Sequence, residues 1–351
     1  MNRLGALSSP RTPLSKGFWM MLIAVIAAVG GHASKPTPPP PYRGAIVVDA
    51  GSGTILFEDR ADTSNPPASV TKLMTFLVVH DRIAAGTLAL TSQVLVTAED
   101  SRIGGTQVWL EAGETFSVED LLYAMMIQSA NDCANALARA AAGSREAFVG
   151  LMNERARSLG MNRTTFRTPH GLPPSNRKIA DGDLTTPRDL ALLGRELLLR
   201  TDVLRYTAVK QRVFRPGQPA PREVIMRTHN HLVDRVRGVD GLKTGFTNGA
   251  GFCLAATAER EGRRVIAVTM GSPDQKTRDL KVAELIERGF ATLPLTATFR
   301  SEVSAIRTTA PASGAAIDVA PRQTIKMKPA PTPRPAPADP SGPAVRFVPK
   351  R

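Results

Sequence analysis

Residues 251–271 read GFCLAATAEREGRRVIAVTMG. Two apolar runs, GFCLAATAER and RRVIAVTMG, meet at Glu261-Gly262, the pattern of two strands joined by a tight turn. A matching pair lies some two hundred residues earlier. GAIVVDA (44–50) and TILFE (54–58) are short apolar, β-branched runs separated by Gly51-Ser52-Gly53. The stretch between the two pairs reads as helices. SVTKLMTFLVVHDRIAAG (69–86) carries apolar residues at 70, 73, 74, 77 and 78, with Gly86 as its stop. Ser117-Val-Glu-Asp120 resembles a capping box and opens a helix to Ile127. Further helical runs cover 132–142 before Gly143, 146–159 before Gly160, Thr186-Pro187 through Leu199, and about 277–292. Strands at both ends and helices in the middle predict an α/β protein of the α+β kind. One antiparallel sheet is built from the two ends and flanked by helices, with an inserted all-helical lobe.

Outside this body the text changes. Arg3, Arg11 and Lys16 precede the apolar run FWMMLIAVIAAV (18–29), and Gly31-His32-Ala33 supplies small residues for cleavage. Residues 1–33 therefore read as a secretory signal, with a run too short for a permanent span. Residues 34–43 form a proline-rich linker, and the folded body is expected over 44–300. Ten of the chain's 28 prolines fall within 301–351. That segment reads as a basic, disordered tail whose charge suits anionic envelope polymers. It shows no periodic apolar face, so neither a second folded domain nor an amphipathic anchor is expected there.

The chain has 351 residues, 42% of them apolar and 22% charged, which excludes a wholly disordered chain and a multi-span membrane protein. Its net charge of +14 is concentrated at the ends, since residues 34–300 carry only +6. Aromatics are 5% of the chain and form no stripe with basic residues, so no nucleic-acid partner is expected. Cys133 and Cys253 sit in apolar stretches. One bridge between them is conceivable after export, but two buried thiols is the plainer reading.

Three short elements carry chemistry. Ser69-Val-Thr-Lys72 places a hydroxyl in the first turn of a helix and an amine one turn further on. A serine needs a base to become a nucleophile, and a desolvated lysine can be one. Ser175-Asn-Arg-Lys178 has the same spacing, but its Pro/Asn-rich loop offers no helix to hold the pair. Ser129-Ala-Asn131 falls in the break between two helical runs, where a hydroxyl and an amide could relay a proton and hold an amide substrate. It also reads as an ordinary turn with an N-cap. Lys243-Thr244-Gly245 lies just before the terminal strand pair. Its lysine and hydroxyl suit a carboxylate or carbonyl, and its glycine lets backbone approach closely. It also reads as an exposed turn.

Together, in this order, the three resemble the Ser-x-x-Lys, Ser-Asp-Asn and Lys-Thr-Gly set of β-lactamases and penicillin-binding proteins, with Ala130 where that set has Asp. PASVTKLMT (67–75), SANDCANALA (129–138), FRTPHGL (166–172), TTPRDLALL (185–193) and GVDGLKTGFTNGAGFCLAAT (238–257) narrow the resemblance. They are similar to the low-molecular-mass penicillin-binding proteins of the D-alanyl-D-alanine carboxypeptidase family, serine peptidase family S11. The resemblance runs from about Arg43 to Leu293 and implies a β-lactamase/transpeptidase-like fold. It implies Ser69 as acylated nucleophile, Lys72 as its base and Ser129 as proton relay. Asn131 would bind the substrate amide. Lys243 would steady Lys72 and Ser129 electrostatically and help hold the substrate carboxylate, with Thr244 beside it. Arg278 would be associated with the terminal carboxylate, and the N–H groups of Ser69 and Phe246 would form an oxyanion hole. His170 would order a loop near the site. The implied substrates are peptidoglycan stem peptides, with β-lactam antibiotics as covalent inhibitors and no metal or other cofactor. A class A β-lactamase is disfavoured, because no Glu-x-x-Leu-Asn pattern lies between Asn131 and Lys243. A D,D-endopeptidase is hardly separable from a carboxypeptidase. A silent wall-binding or β-lactam-sensing module conflicts with the filled catalytic positions.

Overall fold

The computed structural model describes residues 40–294 and Phe299. The expected signal at 1–33, residues 34–39 of the linker and the tail at 301–351 lie outside the described residues. Strands β1 (Gly44–Asp49), β2 (Ile55–Asp59), β3 (Val239–Thr247), β4 (Gly251–Arg260) and β5 (Arg263–Ser272) form one five-stranded antiparallel sheet in the order β2-β1-β5-β4-β3. The expected joining of the two ends is the β1–β5 pairing, which sets Gly44 opposite Met270 and Asp49 opposite Val265.

Six longer helices accompany the sheet: α1 (Lys72–Ala84), α2 (Val118–Ile127), α3 (Asn131–Ala142), α4 (Arg145–Ser158), α5 (Pro187–Arg200) and α6 (Gln275–Thr292). Alternate residues of a strand point to opposite faces. Ala45, Val47, Val265 and Ala267 join Val282, Leu285 and Ile286 of α6 in one core. Ile46, Val48, Ile266 and Val268 join Leu73 and Leu77 of α1 and Leu190 and Leu193 of α5 in the other. Both faces being covered, β1 is buried at every residue. This explains why it reads as a continuous apolar run. Helices α2, α3 and α4 make the inserted lobe.

Local signals set the helix ends. Ser117 Oγ accepts from Asp120 N–H at 3.1 Å at the start of α2. Gly143 ends α3 at φ +80°. Thr186 caps α5 with Pro187 in its first turn, and Thr186 Oγ1 accepts from Asp189 N–H. Helix α6 begins two residues earlier than expected, because Asp274 accepts from Thr277 N–H at 2.8 Å. Lys243-Thr244-Gly245 takes the strand-edge reading and not that of an exposed turn. It lies inside edge strand β3. Glycines 238, 241 and 245 hide that strand from a reading by propensity. Two small antiparallel ribbons, 93–95 with 115–117 and 211–214 with 224–227, were also not anticipated. Cys133 and Cys253 are buried and unbridged. No described helix is long and apolar enough to cross a membrane.

Candidate active site

A 3-10 turn at Ala68–Thr71 runs directly into α1, whose first residue is Lys72. Ser69 therefore stands one turn before the lysine, on the same face. Lys72 has no exposed surface. Its Nζ lies 3.0 Å from Ser69 Oγ, 2.7 Å from Asn131 Oδ1 and 2.8 Å from the His170 carbonyl oxygen. Burial, and then the charge of Lys243, hold the Lys72 amine well below the usual lysine range. The neutral amine is thereby favoured. It has two N–H donors for the two carbonyl oxygens and a lone pair left for the Ser69 hydroxyl. Once protonated, its three N–H groups find the same three acceptors.

The helical lobe contributes the turn between α2 and α3. Ser129 is buried there with φ +66°, and Asn131 opens α3. Both ends of the Asn131 amide bond the protein, with one Nδ2–H left over for a ligand. Its Oδ1 accepts from Lys72, and its Nδ2 donates to Gly104 O at 2.9 Å. In this arrangement Asn131 anchors the lysine, a role the sequence reading did not assign to it.

The sheet contributes β3. Lys243 and Gly245 share one face of the strand. A Cβ on Gly245 would lie 2.5 Å from Pro67 O and 3.0 Å from Ser69 N, so only glycine lets the strand pass this close to the serine turn. Lys243 is buried, with its Nζ donating to Thr244 O at 3.1 Å. Burial, and then the Arg278 charge, lower the Lys243 amine to about 7. Thr244 is buried beside it. Phe246 is half exposed, its ring stacked on Phe252 with centroids 4.2 Å apart. Arg278, in the first turn of α6, is buried and paired with Asp279 at 2.7 Å.

The segment 166–172 closes the third side. His170 Nδ1 accepts from Leu172 N–H at 3.1 Å, while burial, and then Lys72, lower its ring to about 3. A loop-ordering histidine is as expected; its carbonyl as a third Lys72 partner is not. Asp183 was missed altogether. Its carboxylate accepts from Arg167 N–H, Thr168 N–H, Thr168 Oγ1–H and Thr71 Oγ1–H, tying this segment to the serine turn. Nothing in the loop PPSNRKIADG (173–182) that leads into it marks that role. Ser175 and Lys178 sit in that exposed loop and take no part.

A hydroxyl facing a buried amine, with a second buried amine on the opposite wall, is equipped for acyl transfer. The family model for peptidase S11, D-alanyl-D-alanine carboxypeptidase, matches residues 39–274. The chain belongs to this family. D-alanyl-D-alanine carboxypeptidase DacC of Escherichia coli (strain K12) is 35% identical over 286 residues, 79% of this chain and 68% of that one. DacF of Bacillus subtilis (strain 168) is 30% identical over 249 residues, 71% of this chain and 62% of its own length. The match thus leaves more than a third of that S11 relative uncovered. Among solved structures, the S11-like fold recurs in D-alanyl-D-alanine carboxypeptidase DacD from Francisella tularensis. That structure has a TM-score of 0.66 and 26% identity, and 75% of each chain is covered. Penicillin-binding protein D2 from Listeria monocytogenes, in its ampicillin-bound form, gives a TM-score of 0.63 and 30% identity over 73% of this chain and all of that one. The expected fold class and family are thereby established for this chain.

Proposed function

We propose that this protein is a serine-type D-Ala-D-Ala carboxypeptidase that removes the terminal D-alanine from peptidoglycan stem pentapeptides through an acyl-enzyme on Ser69. The observation that carries the reading is Lys72 Nζ at 3.0 Å from Ser69 Oγ, with its other hydrogen bonds fixed by Asn131 and His170. Lys72 takes the Ser69 proton as Oγ attacks the carbonyl carbon of the penultimate D-alanine. Charge builds on the carbonyl oxygen, where the N–H groups of Ser69 and Phe246 stabilise it. As the C–N bond breaks, the proton passes from Lys72 through Ser129 to the departing amine. D-Alanine leaves, and an ester remains on Ser69. Water, deprotonated by Lys72, then cleaves that ester and restores the hydroxyl. Lys243, Thr244 and Arg278 hold the terminal carboxylate, and Asn131 steadies both Lys72 and the substrate amide. A β-lactam enters by the same first step and stays as a slowly released ester. The N-terminal 33 residues are read as the address that exports the enzyme to the cell envelope.

Intact-mass spectrometry with penicillin, beside D-alanine release from a pentapeptide, tests the reading. One covalent adduct on the peptide containing Ser69 is expected, with none in Ser69→Ala. Release of D-alanine by Ser69→Ala at the wild-type rate would refute the assignment. Rapid nitrocefin turnover would favour a β-lactamase instead.

A further inference from the structure

Seven non-glycine residues among those described have positive φ. Two lie in the site itself, Ala68 (φ +50°) and Ser129 (φ +66°); a third, Trp109 (φ +53°), lies on the segment whose Gly104 O and Thr106 O accept from Asn131. A bulky residue in this region costs on the order of 1–3 kcal/mol, and such outliers cluster where function holds them. Ala68 sets the serine turn, and Ser129 is itself a member of the site. Trp109 has no role in the chemistry so far.

Its surroundings are built to hold it. Val108 and Leu110, on either side, are buried, while Trp109 is 62% exposed. Both neighbours donate their N–H to the Asp132 carboxylate, at 3.2 Å and 3.0 Å. Arg215 donates to Val108 O and Trp109 O, each at 3.0 Å. The Arg215 side chain is itself buried, ion-paired to Glu114 and placed over the rings of Phe116 and Phe214. Asp132 follows Asn131, and the same segment accepts from Asn131 through Gly104 O and Thr106 O. The residue that fixes Lys72 and the clamp that fixes Trp109 are adjacent in one turn of α3. An exposed indole bound this firmly to the catalytic turn presents an apolar face with one N–H donor.

We propose that Trp109 is a specificity-determining residue of the carboxypeptidase site, receiving the part of the stem peptide that lies on the amino side of its last three residues. This rests on the proposed function, because it assumes that the terminal D-Ala-D-Ala occupies the Ser69–Lys243 pocket. The longer arm of the peptide leaves the pocket along segment 104–110 and lies against the indole.

The test compares two substrates on the full chain: a muramyl pentapeptide ending in D-Ala-D-Ala and the short diacetyl-L-Lys-D-Ala-D-Ala. Trp109→Ala is expected to lower kcat/KM about tenfold for the pentapeptide and to leave the short substrate within about twofold. Trp109→Phe should recover most of the loss. Trp109→Gly, which relieves the strained φ, should melt at or above the wild-type temperature yet show the same selective loss. A second readout is direct. The chain has only Trp19 and Trp109, so Trp19→Phe leaves one indole. In Trp19→Phe/Ser69→Ala, the pentapeptide should shift the emission and the short substrate should not. Equal losses on both substrates, or emission unmoved by the pentapeptide, would overturn the proposal. Should the wild type release D-alanine from neither substrate, the carboxypeptidase reading fails instead, and the emission titration still decides for or against Trp109.

Discussion

Lys72 and Lys243 are the same residue type with two different environments. Burial, and then the charge of Lys243, hold Lys72 well below the usual lysine range; burial, and then the charge of Arg278, lower Lys243 to about 7. Groups pushed apart in this way can divide base and cation roles between them. Lys72→Arg tests the division, since a guanidinium keeps the charge but cannot give up its proton. Penicillin acylation, followed by stopped-flow, should slow about 100- to 10,000-fold. Acylation at the wild-type rate would remove Lys72 from the role of base. Gly171 is decisive in another way. It has φ +85°, and a Cβ there would fall 1.9 Å from Ala68 O, against backbone that cannot swing aside. Gly171→Ala should cost about 3 kcal/mol and displace the serine turn. A melting curve and a penicillin-labelling assay report the two effects, and wild-type values in both would contradict the close approach.

Between residue and fold, Asp183 joins the 166–172 segment to the start of α1 through four hydrogen bonds. Asp183→Ala would leave two backbone N–H groups and two hydroxyls without this partner. A loss of about 3–5 kcal/mol is expected, by urea denaturation. Penicillin acylation should fall with it, because the His170 carbonyl would no longer be held against Lys72. A variant with native stability and acylation would show that the carboxylate is dispensable. This anchor was invisible in the text, where one aspartate in a polar loop resembles any other. Helices were legible because their ends are local events: Ser117, Gly143 and Thr186-Pro187 announce them within a few residues. The joining of the two ends into one sheet was legible from two apolar strand pairs. Strand β3 was not, because the glycine that admits it to Ser69 also erases its strand signature. The three chemical motifs were found by spacing. The hydrogen bonds that fix Lys72 reach Asn131 and His170 across 59 and 98 residues of chain, which no local pattern encodes.

For the molecule as a whole, burying amines at the site makes stability depend on pH. The folded protein holds Lys243 at about 7, against 10.5 for the ordinary group, and depresses Lys72 well below that ordinary value too. Between those limits the unfolded chain binds more protons than the folded one, so stability rises with pH. His170, lowered to about 3, acts in the same direction, but its window closes near the ordinary histidine value of 6.5. Above about pH 9 the buried thiols oppose the trend: Cys253 is raised to about 11 by burial, and Cys133 is raised as well. The window from pH 7 to 9 therefore belongs to the two lysines. Across it the melting temperature should climb by at least about 10 °C. The slope should shrink in Lys243→Met, which removes one of the two titrations. A melting temperature that stays flat or falls between pH 7 and 9 would mean that the folded protein keeps both amines charged. A Lys72 that stays charged at pH 9 could not take the proton of Ser69.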